Sequence, residues 1–479
     1  MPFGYDIVCN FRAHTISQYN FEKGFTSMKT QKHLFLYAIL VFAFSLCLSF
    51  LLPGMEIRAE RAIDIARSNG NQLEERYQPA GSIIVEINTG QVLWQENPQI
   101  SWEPASMSKL MTILLAYDAI QEGKFSLNTK VSVTDKYLDI ASRYSLSNNK
   151  MLAGATYTVA ELFDLIIVPS SAAATYMLAD LIEPDPDKFV TLLNERAASI
   201  GMKNTRYYNP VGVPNKLLIP YQPVNASLTD VNVTTPEDYA LLCCYFVKTY
   251  PDILNHTKYP KIVVKEGTPY EENFDTYQYS IEGAKHSLKG TDGLKTGSNQ
   301  NGFNYSSTAL RGNTRLVEIV MGVSKWEDQA GEEIRHVIGN AIMEQAFQNF
   351  EYRKVLKKGI HTINDKKIEI KKDLWDCVPQ NTDVSFNLDN GKVSVNLKRE
   401  FLPGYQTPAV SYEAAPIFSG SAGSWSTIVI KVLLLIIMIL LLLGCLRFYY
   451  VLLQRKKLRK RRMERRKLQN TRSLHDKDH

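Results

Sequence analysis

The stretch Pro104-Ala105-Ser106-Met107-Ser108-Lys109-Leu110-Met111-Thr112 decides the fold of this chain. It places a serine and a lysine three residues apart at the start of Met107–Ile120, where apolar residues recur at helical spacing. Positions i and i+3 lie on the same face of a helix, so the Ser106 hydroxyl and the Lys109 amine are predicted to be neighbours. Burial and a second nearby cation would lower the pKa of the lysine, which could then take the serine proton.

Two later segments supply further polar groups. Pro169–Ala174 contains Ser170, which lies 64 residues after Ser106. Lys295-Thr296-Gly297-Ser298 precedes a strand-like segment, Phe303–Leu310. A lysine and a threonine on an edge strand can bind a terminal carboxylate, and a glycine beside them lets a substrate backbone approach closely. Each motif alone is common, but the order Ser-x-x-Lys, Ser, Lys-Thr-Gly is informative.

In these motifs the chain resembles the low-molecular-mass penicillin-binding proteins, the serine-type D-Ala-D-Ala carboxypeptidases of Gram-positive bacteria. Ala197-Ala198, Gly201–Thr205 and Gly290–Ser298 are also similar to that family, and the similarity covers residues 78–450. The resemblance implies an α+β fold. Its transpeptidase domain, of the penicillin-binding and β-lactamase type, has an antiparallel sheet with helices, and a small all-β domain and a C-terminal transmembrane helix follow.

The resemblance also implies a role for each site residue. Ser106 is expected to be the nucleophile that forms an acyl-enzyme, Lys109 its general base, and Ser170 the relay of a proton to the leaving D-alanine. The residues expected to bind the substrate are Lys295, Thr296, Gly297 and Ser298, and of these Lys295 and Thr296 are expected to hold its terminal carboxylate. The backbone N–H groups of Ser106 and Ser298 would form the oxyanion hole. The expected partners are peptidoglycan stem peptides ending in D-Ala-D-Ala, with β-lactams as inhibitors, and neither metal nor cofactor is expected.

One residue departs from the family pattern. The second motif of the family is Ser-x-Asn, and the asparagine position holds Ala172. Ser147-Asn148-Asn149-Lys150 also fits Ser-x-Asn, but it lies in a polar segment only 41 residues after Ser106, so Ser170 is the preferred assignment. Without the asparagine we expect slower acylation. Restoring it by Ala172→Asn is expected to raise the rate about tenfold, or about 1.4 kcal/mol.

Several activities remain compatible with the motifs. Hydrolysis would release D-alanine, whereas an amine acceptor would give transpeptidation, and the motifs do not separate the two. A class A β-lactamase shares the first and third motifs, but no obvious Glu-x-x-Leu-Asn segment lies between Ser170 and Lys295. The alternative from a different class is a catalytically weak paralogue that only binds cell wall or partner proteins, and Ala172 is its motivation.

Composition and local patterns divide the chain into six parts. They are an N-terminal region with an export signal or signal anchor (1–59, with the apolar run Leu34–Leu52), a catalytic domain (76–350), a small β domain (351–405), a linker (406–425), a transmembrane helix (426–450) and a basic cytoplasmic tail (451–479). The sequence leaves open whether the first apolar run is cleaved and whether Met28 is the true start.

Charge is concentrated at the C-terminus. Arg447–His479 has thirteen Lys/Arg and three Asp/Glu, so the net charge of this tail is +10. The net charge of the whole chain is +6, so the remaining residues carry −4. The tail directly follows the apolar run Ile428–Leu446, which favours a membrane surface over nucleic acid as its partner. The excess of positive charge places the tail in the cytoplasm and the catalytic domain outside the cell.

This topology predicts a protease-protection result. Protease added to intact protoplasts should remove residues 78–425 and spare an epitope at the C-terminus, because residues 455–479 lie inside. Immunoblotting against the two regions measures the outcome. Digestion of the C-terminal epitope from outside would contradict the topology.

Overall fold

The computed structural model describes residues 60–415 and 422–475. These residues form two compact units. The first contains the described residues up to Arg353 together with 377–382 and 398–406, and the second contains 354–376, 383–397 and the residues from 407 onward. The predicted apolar run Leu34–Leu52 lies outside the described residues.

The first unit is built on an antiparallel sheet with helices on both faces. Its helices are α1 (Ala62–Ser68), α2 (Lys109–Gln121), α3 (Asp135–Ser142), α4 (Val159–Ile167), α5 (Ala172–Ile182), α6 (Pro186–Ile200), α7 (Pro236–Thr249), α8 (Leu254–Thr257) and α9 (Gly331–Asn349). The strands of its main sheet are β1 (Gly81–Glu86), β2 (Gln91–Glu96), β7 (Thr291–Asn299), β8 (Gly302–Arg311), β9 (Thr314–Val323) and β16 (Glu400–Phe401).

The main sheet has the spatial order β16-β2-β1-β9-β8-β7, so β7 lies at an edge. Every neighbouring pair in it is antiparallel. Asn88-Thr89-Gly90, a sequence that predicts a hairpin turn between alternating segments, joins β1 to β2, and Gly90 has φ +70°, a conformation that favours glycine. The antiparallel α+β prediction is therefore confirmed, and β7 carries the Lys-Thr-Gly motif at an open edge.

Alternation along the strands divides the core into two layers. Ile83 and Val85 of β1 pack among the helices that include α2, α4 and α5. Ile84, between them in sequence, packs with the residues of α1 and α9 on the opposite face. Successive strand residues point to opposite faces of a sheet, so a strand that is apolar throughout must be covered on both sides. The sheet is thus the middle layer of three.

Local sequence signals explain the ends of two helices. The Thr-x-x-Glu pattern of Thr158 and Glu161 predicts a capping box, and the two residues form one at the start of α4. Gly201 ends α6 with φ +98°, the left-handed conformation that a glycine just after a helix favours. These caps fix helix boundaries before tertiary packing is considered.

Shorter strand pairs complete the described chain. They are β3 (Lys130–Ser132) with β4 (Thr156–Thr158), β5 (Lys261–Val264) with β6 (Glu272–Asp275), and β10 (Phe350–Leu356) with β13 (Leu374–Pro379).

The second unit contains a five-stranded sheet. In spatial order its strands are β11 (Gly359–Ile363), β12 (Lys366–Ile370), β17 (Ala409–Ala414), β15 (Lys392–Val395) and β14 (Phe386–Asp389). The prediction that 406–425 is a linker is wrong for residues 409–414, which pair with β12 and β15. Val410 and Tyr412 alternate onto the small core around Val393, a pattern that the neighbouring Pro408 obscured.

The C-terminal boundary of the predicted β domain also needs correction. Glu400 and Phe401, predicted to belong to it, form β16 and pair with Val92 and Gln91 of β2. Residues 398–406 accordingly belong to the first unit. A two-residue edge strand is too short to give an alternating sequence pattern. It can be recognised only from its hydrogen bonds to β2 in the folded protein.

A single long helix, α10 (Ala422–His475), contains the predicted transmembrane segment and runs on through the basic tail. The large apolar side chains described in it, from Ile428 to Met463, are exposed. Among the described residues, it is the one helix long and apolar enough to cross a membrane.

Glu318 of β9 predicts a pH effect on stability. Its carboxylate is buried and accepts a hydrogen bond from the Tyr305 hydroxyl at 2.5 Å, and burial raises the pKa of Glu318 to about 8. The folded protein therefore holds a proton that the unfolded chain releases, and stability should fall as pH rises from about 4.5 to about 8, at about 1.4 kcal/mol per pH unit at most.

Glu318→Gln cannot titrate and should show a shallower decline of the melting temperature over the same pH range. Thermal melts of the two purified proteins at pH 5, 6, 7 and 8 measure the difference. Parallel curves would show that Glu318 does not hold this proton.

Candidate active site

The first part of the site is the turn that enters α2. Residues Ala105–Ser108 form a 3-10 turn, and the Tyr239 hydroxyl donates to the Met107 carbonyl at 2.8 Å. Ser106 is half-buried, and Lys109, the first residue of α2, is only 2% exposed. The Lys109 amine donates to Ser106 Oγ at 3.0 Å. The structure thus brings together the two residues that their helical spacing predicted to be neighbours.

The second part is Ser170, in the turn between α4 and α5. Its backbone is left-handed, with φ +61°, a conformation that costs a non-glycine residue about 1–2 kcal/mol. In this conformation both oxygens of Ser170 face Lys109. The Lys109 amine donates to the Ser170 carbonyl at 2.6 Å and to its hydroxyl at 3.2 Å.

The third part is the edge strand β7. Lys295 is 1% exposed, and its amine donates to Ser170 Oγ at 3.0 Å and to the Thr296 carbonyl at 2.9 Å. Thr296 follows on the same strand and is 7% exposed. A Cβ on Gly297 would lie 2.4 Å from the Pro104 carbonyl oxygen, so only glycine lets β7 approach the Ser106 turn this closely.

The electrostatics of the site are set by burial of its cations. Burial lowers the pKa of Lys109 to about 7. Burial, together with the positive charges of Lys109 and Arg335, holds the pKa of Lys295 well below its usual range. A substantial fraction of Lys109 is then neutral near pH 7 and can accept a proton. A carboxylate close to Lys295 would favour the charged form of its amine and raise its pKa.

Ser170 Oγ lies between the two amines and accepts from both. When one of the two amines is neutral, its lone pair can accept the Ser170 hydroxyl proton while the other amine donates to Ser170 Oγ. The hydroxyl therefore connects the Lys109 amine beside Ser106 with the Lys295 amine on β7. This position fits the relay role that the sequence resemblance implied.

Sequence reasoning missed Arg335. It is fully buried in α9, and its guanidinium donates to Ser298 Oγ and to the Asn304 carbonyl, both at 3.0 Å. It is thus a third cation behind β7. Its burial could have been suspected from the sequence, because Arg335 is spaced three and seven residues from Ile338 and Ile342 and so lies on the apolar face of the helix. Within the described ranges, no cluster of three or more His, Cys, Asp or Glu is placed to hold a metal ion.

Ser147 and Lys150 of the competing segment are not among the hydrogen-bond partners of the Lys109 and Lys295 amines. The Ser147 and Lys150 residues are exposed, whereas Asn149 is 2% exposed. The Ser147 carbonyl accepts from the Ala172 N–H at 2.9 Å, so this segment packs against the start of α5. The preference for Ser170 over Ser147 agrees with this geometry.

Comparison with known proteins assigns the family. Residues 71–325, just over half of the chain, match a family described as D-alanyl-D-alanine carboxypeptidase. The chain belongs to this family. The prediction of a serine-type D-Ala-D-Ala carboxypeptidase, made from the motifs, is confirmed. Residues 352–413 of the carboxypeptidase match a domain of unknown function.

Individual relatives agree with this assignment. The carboxypeptidase is 23% identical over 358 residues to D-alanyl-D-alanine carboxypeptidase DacF of Bacillus subtilis, covering 74% of this chain and 84% of that protein. It is 24% identical over 280 residues to DacA of Escherichia coli, covering 58% of this chain and 62% of that protein.

Solved structures show the same fold. A peptidoglycan synthesis regulatory factor (PBP3) from Streptococcus pneumoniae is 22% identical with a TM-score of 0.60, covering 70% of this chain and 97% of that one. Penicillin binding protein 5 from Haemophilus influenzae is 20% identical with a TM-score of 0.55, covering 71% and 99%.

The structure revises the expectation for Ala172. An ammonium group has three protons, and Lys109 has three acceptors without any asparagine, namely Ser106 Oγ, Ser170 Oγ and the Ser170 carbonyl. Ala172→Asn should therefore raise the acylation rate by about threefold or less, or about 0.6 kcal/mol, rather than tenfold. The second-order rate of acylation by one β-lactam measures it. A gain of tenfold or more would show that Lys109 is poorly oriented in the natural chain.

Proposed function

We propose that the carboxypeptidase cleaves terminal D-Ala-D-Ala of peptidoglycan stem peptides with Ser106 as its nucleophile. The observation that carries this proposal is the buried Lys109 amine 3.0 Å from Ser106 Oγ, with a pKa lowered to about 7. A lysine that is neutral near physiological pH and lies within hydrogen-bond reach of a serine can act as its general base.

Acylation begins with the substrate carboxylate at Lys295 and Thr296. The Ser106 oxygen attacks the carbonyl carbon of the penultimate D-alanine while Lys109 takes the hydroxyl proton. The backbone N–H groups of Ser106 and Ser298 stabilise the negative charge that develops on the carbonyl oxygen. The proton then passes through Ser170 Oγ to the leaving nitrogen, and free D-alanine departs from the acyl-enzyme.

Deacylation uses the same groups in reverse. Lys109 takes a proton from water, the resulting hydroxide equivalent attacks the ester carbonyl, and the proton returns to Ser106. An amine of a second stem peptide in place of water would give transpeptidation. A β-lactam would acylate Ser106 by the same route. Its leaving nitrogen remains tethered by the opened ring, so β-lactams are proposed as covalent inhibitors.

The site is proposed to work at the outer face of the cytoplasmic membrane. The apolar part of α10 is long enough to span the membrane, and the basic residues after it favour the cytoplasmic side. The peptide substrate is part of the cell wall, so this orientation places the site on the substrate's side of the membrane.

Covalent labelling tests the nucleophile. Mass spectrometry after incubation with benzylpenicillin should show one adduct on the Ser106 peptide of the natural protein, and a D-Ala-D-Ala peptide should release D-alanine. Ser106→Ala should abolish both because the attacking oxygen is absent. Ser147→Ala is the matched control and should retain the adduct. Labelling that survives Ser106→Ala would overturn the assignment.

A further inference from the structure

Three hydrogen bonds tie the segment Ser147–Asn149 to the start of α5. They run from the Ala172 N–H to the Ser147 carbonyl at 2.9 Å, from the Ala173 N–H to Asn148 Oδ1 at 2.8 Å, and from Ser171 Oγ to Asn149 Oδ1 at 2.8 Å. The first N–H groups of a helix have no partners within the helix, so an outside segment that accepts from them fixes where the helix starts.

These contacts fix the residues on the C-terminal side of Ser170. The Ser171 N–H donates to the Leu165 carbonyl at 2.9 Å, and Ser171 Oγ accepts from the Ala174 N–H at 3.1 Å as the N-cap of α5. Ser170 must therefore turn between two fixed points in its left-handed conformation, with φ +61°. The direction of its carbonyl, which Lys109 contacts at 2.6 Å, depends on that conformation.

The segment is held in turn by Glu272, at the start of β6. Asn149 Nδ2 donates to Glu272 Oε2 at 2.9 Å, and the Lys150 N–H donates to Glu272 Oε1 at 2.8 Å. Asn149 is 2% exposed, and its amide has one partner on each side. Its oxygen accepts from the α5 cap while its nitrogen donates to the carboxylate.

We propose that Asn149 and Glu272 are positioning residues for Lys109, acting through Ser171 and the Ser170 carbonyl. This inference rests on the proposed function, in which Lys109 is the base. The alanine at position 172 provides no side-chain amide for the lysine, so a main-chain carbonyl supplies that acceptor. A main-chain acceptor is aimed by its backbone, and the Asn149–Glu272 pair holds that backbone.

An exchange of the two side chains tests the proposal. Asn149→Asp places two carboxylates in contact and should slow acylation about ten- to a hundredfold, since small displacements of a base have effects of that size. Asn149→Asp combined with Glu272→Gln restores the hydrogen bonds that link Ser171, position 149, position 272 and the Lys150 N–H. The introduced aspartate still accepts from Ser171, and the introduced glutamine donates to the second oxygen of that aspartate and accepts from the Lys150 N–H. The double variant should return to within about threefold of the natural rate, as expected for two directly coupled residues.

The readout is the acylation rate constant at saturating benzylpenicillin, measured separately from the dissociation constant of the initial complex. Only the rate constant should change, because Lys295 and Thr296 still bind the carboxylate. Asn194→Asp is the matched control. The Asn194 amide likewise uses both its nitrogen and its oxygen, but away from Lys109: its nitrogen donates to the carbonyls of Val190 and Tyr207, and its oxygen accepts from the Tyr207 N–H. It should lower the melting temperature and leave the rate constant unchanged.

Each outcome bears on the proposal. A natural rate constant in folded Asn149→Asp, or a folded double variant that stays as slow as Asn149→Asp, would overturn it. If Asn149→Asp does not fold, Glu272→Ala carries the same expectation of a slowed rate, and an unchanged rate there would overturn the proposal. A natural protein without an adduct, or an adduct that survives Ser106→Ala, would overturn the proposed function and this inference with it.

Discussion

The active site depends on two buried lysine amines that share one serine hydroxyl. Lys109 and Lys295 both donate to Ser170 Oγ, and both are almost inaccessible to water. Burial disfavours an ammonium group, and a second positive charge nearby disfavours it further. The pair therefore carries fewer protons than two surface lysines would, and one amine is available as a base. Each of the three residues comes from a different part of the first unit, so the chemistry exists only when the α2 turn, the α4–α5 turn and β7 are assembled.

The orientation of a base can be set by a side chain or by the backbone. A side-chain amide depends on one residue and one rotamer, whereas a carbonyl depends on the conformation of the segment that carries it. In this chain Lys109 contacts the Ser170 carbonyl at 2.6 Å. The orientation of the Lys109 amine therefore depends on residues distant in sequence, including Asn149 and Glu272, because these residues keep the α4–α5 turn in place. Close packing at Gly297, where no Cβ would fit, limits movement from the β7 side.

The sequence was sufficient for features that depend on local spacing. The Ser106–Lys109 contact follows from i, i+3 geometry, the β1–β2 hairpin from its Asn-Thr-Gly turn, and the α4 capping box from Thr158 and Glu161. Features that depend on a distant partner could not be predicted. Strand β17 lies beside a proline in a segment that read as a linker, and β16 has only two residues. Two further contacts link segments that are far apart in the chain, and no local pattern predicts them. They are the contact of buried Arg335 with Ser298 and the contact of Asn149 with Ser171.

The lowered pKa of Lys295 makes ligand binding and hydrogen-ion binding a single linked equilibrium. Burial and the neighbouring cations disfavour the ammonium form of Lys295 in the unliganded site, and a carboxylate bound there as proposed would stabilise that form. Binding of such a ligand would therefore be coupled to the uptake of hydrogen ions. Between the pKa of Lys295 in the empty site and its pKa in the complex, affinity for an anionic ligand changes about tenfold per pH unit and is greatest on the acidic side. Binding of an anionic peptide end at the proposed site would thus depend on the acidity around the protein.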